Sequence, residues 1–218
     1  MIAERIRQLK NDLPGHVKLV AVSKFKPAAD IMEAYAAGQR DFGENYVQEV
    51  VSKSAELPAD IRWHFIGHLQ TNKVKYIAPF VHLVHSVDSL KLLKEINKQA
   101  GNYNRVIECL LQVHIAQEET KSGLTEEEFL ALLEAPVFGE MRHVKVTGVM
   151  GMSTLTDDPA VVRAEFRALK NIFEKGQRLL PGMKEISMGM SGDWPVAVEE
   201  GSTMVRIGST IFGARNQK

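Results

Sequence analysis

A single cysteine, Cys109, stands in 218 residues, so no internal disulfide can form. It lies in the apolar run "VIECLLQV", which reads as a place for a buried, inert thiol. There is no net charge: 27 Lys+Arg balance 27 Asp+Glu. That balance argues against a nucleic-acid partner, which calls for a basic excess or stripe. No apolar run approaches the roughly 20 residues of a membrane span. The first residues, "MIAERIRQLKNDL", carry charges throughout and have no signal-peptide core. A cytoplasmic protein without a membrane or nucleic-acid partner is expected. No GxGxxG or GxxxxGK[ST] follows residue 23, and no GxSxG occurs anywhere. A nucleotide loop of the usual kind and a serine-hydrolase elbow are therefore not supported. Linkers and low-complexity stretches are absent too.

What is present is ordinary globular composition, 44% hydrophobic and 25% charged, with a regular alternation of elements. Helical spacing marks residues 2–12, and apolar alternation marks a strand over 17–23. A helix over 28–38 stops at Gly38, and "RDFGEN" is a short strand before a helix over 46–56. "RWHFIGH" is a strand, followed by a short helix over 70–80 and a strand over 81–87. Asp88 can cap a helix over 89–100 that ends at Gly101. A strand over 105–115 precedes a helix over 125–134, which opens on a Thr125/Glu128 capping box. "HVKVTGVM" is a strand, Asp158 and Pro159 begin a helix over 159–176, and "EISMGM" is a strand. A helix over 194–200 and the strand "TMVRIGS" close the chain.

About eight strands alternating with helices imply a parallel α/β sheet. In a chain of 218 residues this favours a closed (β/α)8 barrel with an extra N-terminal helix, one domain over 1–218. An open doubly wound sheet is the alternative. No long apolar stripe is left over, so a monomer is expected.

Chemistry in such barrels sits where strands end. Those positions are Lys24, Asn45, His68, Ser86, Lys121, Met150 to Ser153, Ser187 to Ser191, and Arg206 to Thr210. Side chains alternate along a strand, so Lys24 shares a face with Val20 and Val22 and points into the barrel. A partly desolvated lysine suits Schiff-base formation with an aldehyde. Arg206 shares the inward face with Met204 and Gly208. Beyond it Gly208, Ser209 and Thr210 offer small side chains and N–H groups that can cradle a phosphate. "SMGMSGDWP" adds Ser187, Gly189 and Ser191 nearby, while Asp193 is expected to cap a helix. In a closed barrel the first and eighth strands are neighbours. Lysine, phosphate cradle and inward arginine together suggest pyridoxal 5'-phosphate. An arginine can only donate to the pyridine nitrogen, which would leave that nitrogen unprotonated and weaken carbanion chemistry.

Metal binding is not favoured. His64 and His68 would lie about 13 Å apart on a strand, and His82 and His85 would fall on opposite faces. Hydrogen-bonded histidines are the better reading.

"AVSKFKP", "FGENYVQE", "WHFIGHLQTNK", "SVDS", "SMGMSGDW" and "VRIGSTIFG" resemble, in order, motifs of the pyridoxal phosphate homeostasis protein family. These are single-barrel relatives of the N-terminal domain of alanine racemase. The resemblance runs from about residue 17 to residue 215. It implies that Lys24 binds the cofactor, that Arg206 faces the pyridine nitrogen, and that Ser187, Gly208, Ser209 and Thr210 hold the phosphate. It further implies that Asn45, His64 and Met188 line the ring and its substituents. Phe25, in the slot after the lysine, is expected to point away.

Racemisation needs proton transfer on both faces of the bound amino acid. In the racemase an added C-terminal domain of a partner subunit supplies the second base. This chain is expected to have no such domain, since it ends at Lys218. The expectation is a cofactor-binding protein without robust turnover. Its implied role is in cofactor and amino-/keto-acid homeostasis, with PLP-dependent apoenzymes as acceptors. Two readings remain beside it: a low-activity amino-acid racemase, and a phosphosugar-binding barrel in which Lys24 only pairs with phosphate. The loop "EETKSG", with Lys121, reads as solvent-exposed.

Overall fold

A computed structural model describes residues 1–118 and 122–213; Lys121 lies outside the described residues. Eight parallel strands close on themselves in chain order. They are β1 (Lys18–Val22), β2 (Asp41–Glu44), β3 (Arg62–Phe65), β4 (Leu83–Val87), β5 (Ile107–Gln112), β6 (Val144–Met150), β7 (Glu185–Ser187) and β8 (Met204–Ile207). The expected barrel is thus the observed one. Strand β1 pairs with β8 in the register Val20–Arg206 and Ala21–Ile207, which closes the sheet.

The helices alternate with the strands. They are α1 (Ile2–Asp12), α2 (Ala28–Ala36), α3 (Val47–Glu56), α4 (Val74–Ile77), α5 (Leu90–Asn102), α6 (Glu126–Glu134), α7 (Pro136–Glu140), α8 (Pro159–Leu179), α9 (Trp194–Glu199) and α10 (Ser209–Phe212). The extra helix α1 buries Ile6 and Leu9, and Arg5 donates to the Ile211 carbonyl at 3.1 Å, tying α1 to α10. The capping box of α6 forms as its sequence requires, and Asp158 accepts from the Ala160 N–H at the start of α8. Among the described residues, no helix is long and apolar enough to cross a membrane.

Several boundaries differ from those read along the chain. Ser89, not Asp88, caps α5, by accepting from the Leu92 N–H. Gly101 lies inside α5, packed against the His143 ring. Gly176 lies inside α8, where a Cβ would sit 2.5 Å from Phe129. In each case a glycine permits close packing rather than ending the helix. Helices α7 and α10 interrupt stretches that had no helical period long enough to register.

Strand alternation sorts the apolar residues into two cores. The larger fills the layer between strands and helices and includes Phe42, Trp63, Phe65, Phe129 and Phe166. Each such side chain contributes about 1.5–3 kcal/mol by leaving water. The smaller core is Val20, Leu83, Leu110, Met150 and Met204, packed inside the barrel. Cys109 belongs to the larger core and is fully buried, and burial pushes its thiol up.

Candidate functional site

Strand β1 ends at Val22, and Lys24 comes next but one, on a turn at the C-terminal mouth, half-buried. Its loop is anchored from α3. Lys53 donates to the Ser23 carbonyl at 2.8 Å and to Glu44 Oε1 at 2.7 Å. The Ser23 hydroxyl donates to the same Glu44 oxygen at 2.6 Å. Glu49 pairs with Lys53 at 2.7 Å and accepts the Phe25 N–H at 2.5 Å. That last bond holds Phe25 at φ 61°, a left-handed conformation costly for a bulky residue. The Phe25 ring is exposed and packs on Tyr46, with centroids 5.1 Å apart. Lys26 reaches the other way, to the Phe212 carbonyl at 3.0 Å. The segment carrying Lys24 is therefore stapled to both α3 and α10.

Glu44 sits in this anchor with no solvent exposure, and its Oε2 has no hydrogen-bond partner among the described residues. Burial pushes its carboxyl up to about 7, and Lys53 and Ser23 offset only part of that. A raised native value means that the folded state holds the proton longer than the unfolded chain does. The stability this group contributes is full below about pH 4.5 and is lost as pH rises to about 7, at no more than about 1.4 kcal/mol per pH unit. Glu44→Gln has no proton to lose. Urea unfolding at pH 5.5 and 7.5 is expected to show wild type losing stability relative to Glu44→Gln across that interval. Parallel pH profiles would refute it.

Arg206, on β8, is buried inside the barrel beside Val20. Its Nη1 donates to the Ser187 carbonyl at 2.8 Å and to the Ser187 hydroxyl at 2.6 Å. Its Nη2 donates to the Gly151 carbonyl at 3.1 Å. These bonds span the ends of β6 and β7 and fix the guanidinium plane. Burial brings its pKa down to about 10, so it remains a cation and a donor at neutral pH.

Immediately above it the chain leaves β8 at Gly208. A Cβ there would lie 3.3 Å from Val22 Cβ and O, so Gly208 lies against the strand end that carries the lysine turn. The Gly208 N–H meets Ser191 Oγ at 3.4 Å. Intrahelical bonds of α10 begin with the N–H groups of Ile211 and Phe212, both given to Gly208. Those of Ser209 and Thr210 belong to the first turn, which has no earlier carbonyl to meet them. Both residues are exposed.

Asn45 comes directly after β2 at the same mouth. Its Oδ1 is buried and, among the described residues, without a hydrogen-bond partner. Gly67 sets its place, because a Cβ at Gly67 would fall 2.2 Å from the Asn45 carbonyl oxygen. Gly67→Ala is expected to push the Asn45 turn aside at a cost of about 1–3 kcal/mol. Thermal unfolding, with the amide shift of Asn45, checks this; an unmoved Asn45 would contradict it.

The other residues singled out in the sequence lie elsewhere. His64 is buried well below the mouth. Its Nε2 is 2.9 Å from Asp41 Oδ1, at the N-terminal end of β2, and its Nδ1 is 2.9 Å from His85 Nε2. The Ser187 hydroxyl is used inside the barrel, 2.9 Å from His85 Nδ1 and bonded to Arg206. Ser191, four residues on, is the hydroxyl beside Gly208. Met188 points the opposite way from Ser187, into the outer core. His68 is exposed and pairs with Asp88 at 3.6 Å. Asp193 stands at the start of α9 but does not cap it. Its carboxylate accepts from the Met190 N–H at 2.6 Å and the Ser153 hydroxyl at 2.8 Å, joining two mouth loops.

His85 and Asp41 were not legible as site residues, because their partners lie on other strands and nothing in "DFGE" or "LVHSV" alone points to them. Asp41 on β2, His64 on β3 and His82, just before β4, bring ligand atoms within 4.8 Å of one another. A check of spacings within single strands does not reach that trio. Arg62 already bonds both Asp41 oxygens, at 2.8 and 2.5 Å, and His64 bonds one of them.

Comparison with known proteins adds to this geometry. The sequence model for the N-terminal domain of alanine racemase matches residues 1–216. The pyridoxal phosphate homeostasis protein of Pasteurella multocida is 42% identical over 205 residues, which is 92% of this chain and 87% of that protein. The human protein of the same name is 38% identical over 234 residues, covering 99% and 84%. Among solved structures, PipY of Synechococcus elongatus with PLP bound superposes with a TM-score of 0.90 at 40% identity, covering 98% of this chain and 100% of that one. Alanine racemase from Streptomyces lavendulae shares the fold, with a TM-score of 0.83 at 18% identity over 99% of this chain and 57% of its own. The chain belongs to the pyridoxal phosphate homeostasis protein family, built on the barrel of the alanine racemase N-terminal domain.

Proposed function

We propose that this protein binds pyridoxal 5'-phosphate at the barrel mouth, through Lys24 as a Schiff base, and acts in cofactor and amino-/keto-acid homeostasis without robust turnover. The observation that carries the reading is the packing of Gly208 against Val22. It sets a backbone anion cradle beside the lysine turn, with a buried cationic donor one layer below. The residues fit the group. Asn45 Oδ1 is an acceptor without a partner among the described residues, suited to a ring hydroxyl. The cradle of Gly208, Ser209 and Thr210, with Ser191, suits a phosphate. Arg206 suits a ring nitrogen that accepts.

When bound, pyridoxal phosphate supplies an aldehyde and an electron-withdrawing ring. The chain's own residues restrict how far that chemistry can go. Arg206 stays charged and holds its protons, so it does not hand one to the ring nitrogen, and the electron sink stays weak. His64 and Ser187 serve the site through Arg206 rather than by touching the cofactor. We further infer a cytoplasmic, monomeric, one-domain protein that passes cofactor to PLP-dependent apoenzymes.

Purified protein titrated with pyridoxal phosphate is expected to gain one equivalent and the visible band of a lysine imine. Protein that takes up none would overturn the reading. The competing racemase reading predicts sustained α-hydrogen exchange with inversion of single-enantiomer amino acids in deuterated water, and the present reading predicts none.

A further inference from the structure

A continuous string of polar contacts crosses the barrel interior from base to mouth. Arg62 grips Asp41 at the base. Asp41 meets His64, His64 meets His85, His85 meets Ser187, and Ser187 meets Arg206, with separations of 2.9, 2.9, 2.9 and 2.6 Å. His64, His85 and Ser187 are fully buried, and Asp41 and Arg206 nearly so.

Chemistry dictates the donor and acceptor roles. Asp41 is held below the usual carboxylate range: burial pushes it up, but the hydrogen bonds from Arg62 and His64 outweigh burial. A carboxylate only accepts, so His64 Nε2 carries a proton. Burial lowers both histidines, which are neutral at pH 7. His64 Nδ1 is therefore bare and accepts from His85 Nε2–H. His85 Nδ1 is then bare and accepts from the Ser187 hydroxyl. That leaves the Ser187 oxygen to accept from Arg206. From Arg206 to Asp41 every donor points toward the base and every acceptor toward the mouth, and Arg62 closes the string by donating to Asp41 from the base.

We propose that Asp41, His64 and His85 are positioning residues of the cofactor site, which through one directed hydrogen-bond chain orient the Ser187 hydroxyl and hold the Arg206 guanidinium toward the ring nitrogen. The inference rests on the cofactor reading above. A chain so polarised has one alternative, in which both rings change tautomer and the Ser187 oxygen receives two donors. Asp41 excludes that alternative because it has nothing to donate. Burial makes an unmatched group in the string costly, since no water can replace the lost partner. The geometry at the mouth is thus set partly by an acid at the opposite end of the barrel.

The test begins with long-range proton–nitrogen NMR on 15N-labelled protein, free and loaded with pyridoxal phosphate. The expected result is both rings neutral, each with Nε2 protonated and Nδ1 bare. A proton on Nδ1 of either ring would overturn the direction of the chain. Asp41→Asn can donate to His64 and is expected to change the tautomer of both rings. It should shift the absorbance of the bound cofactor and weaken its retention roughly tenfold, while borohydride still traps cofactor on Lys24. Ser187→Ala, a smaller change, is expected to give the same weakening and carries the test where Asp41→Asn does not fold. Variants with wild-type affinity and spectrum, beside a loaded wild type, would sink the relay alone. A wild type that takes up no cofactor would sink the reading beneath it.

Discussion

Lys24→Ala protein is expected to show no visible imine absorbance with pyridoxal phosphate, and to lose the cofactor on gel filtration. The turn that carries Lys24 is not loose. Lys53 and Glu49 fix its backbone on α3, and Lys26 ties it to α10. Removing the amine therefore leaves the cradle of Gly208 to Thr210 in place, so weak phosphate-dependent binding should remain. The loss of a covalent link and of one charge is expected to lower affinity a hundredfold or more, about 3 kcal/mol. Lys24→Arg keeps a cation but has no amine that can condense, and should behave like alanine in absorbance. Equilibrium dialysis and absorbance spectra check both. A visible band that survives either substitution would place the linkage on another amine.

Arg206→Met is expected to be the costliest single change in the barrel interior. It removes the donors to the Ser187 carbonyl, the Ser187 hydroxyl and the Gly151 carbonyl. Each acceptor is left in a place water does not reach. At about 1 kcal/mol per lost bond the stability should fall by about 3 kcal/mol, more where an acceptor finds no substitute. Urea unfolding of the cofactor-free protein measures that, and a loss below about 1 kcal/mol would show that the neighbouring carbonyls find other donors. Arg206→Lys should fall between wild type and methionine. A lysine carries the charge but not the planar fork that spans β6 and β7.

The two substitutions bear on different levels of legibility. The place of Lys24 at the barrel mouth was legible because an apolar strand, "LVAV", runs up to a polar turn closed by a proline; the strand itself stops at Val22, so its alternation does not set where Lys24 points. Its neighbourhood with Gly208 was legible too, once eight βα units implied closure. The anchoring of its loop was not. Glu44, Glu49 and Lys53 read as ordinary helix and strand-end charges, and only the packing of α3 on β2 brings them under Ser23. Ser187 and Met188 show the limit from another side. They are adjacent in one conspicuous motif, yet strand alternation sends one into the barrel and the other into the outer core.

The chain's own periodicity determined the barrel, the order of its strands and the end of it at which Lys24, Asn45 and Gly208 follow their strands. These are local signals: apolar spacing, caps and turn residues act within a few positions. Only the tertiary structure decided what fills the barrel below that mouth. The line from Arg62 through Asp41, His64, His85 and Ser187 to Arg206 draws its members from five strands. Apart from Arg62 and His64, which share β3, no two members belong to one strand, so nothing local marks them as partners. Their partnership depends on register and on the exclusion of water from the interior, which makes every donor seek the one acceptor facing it.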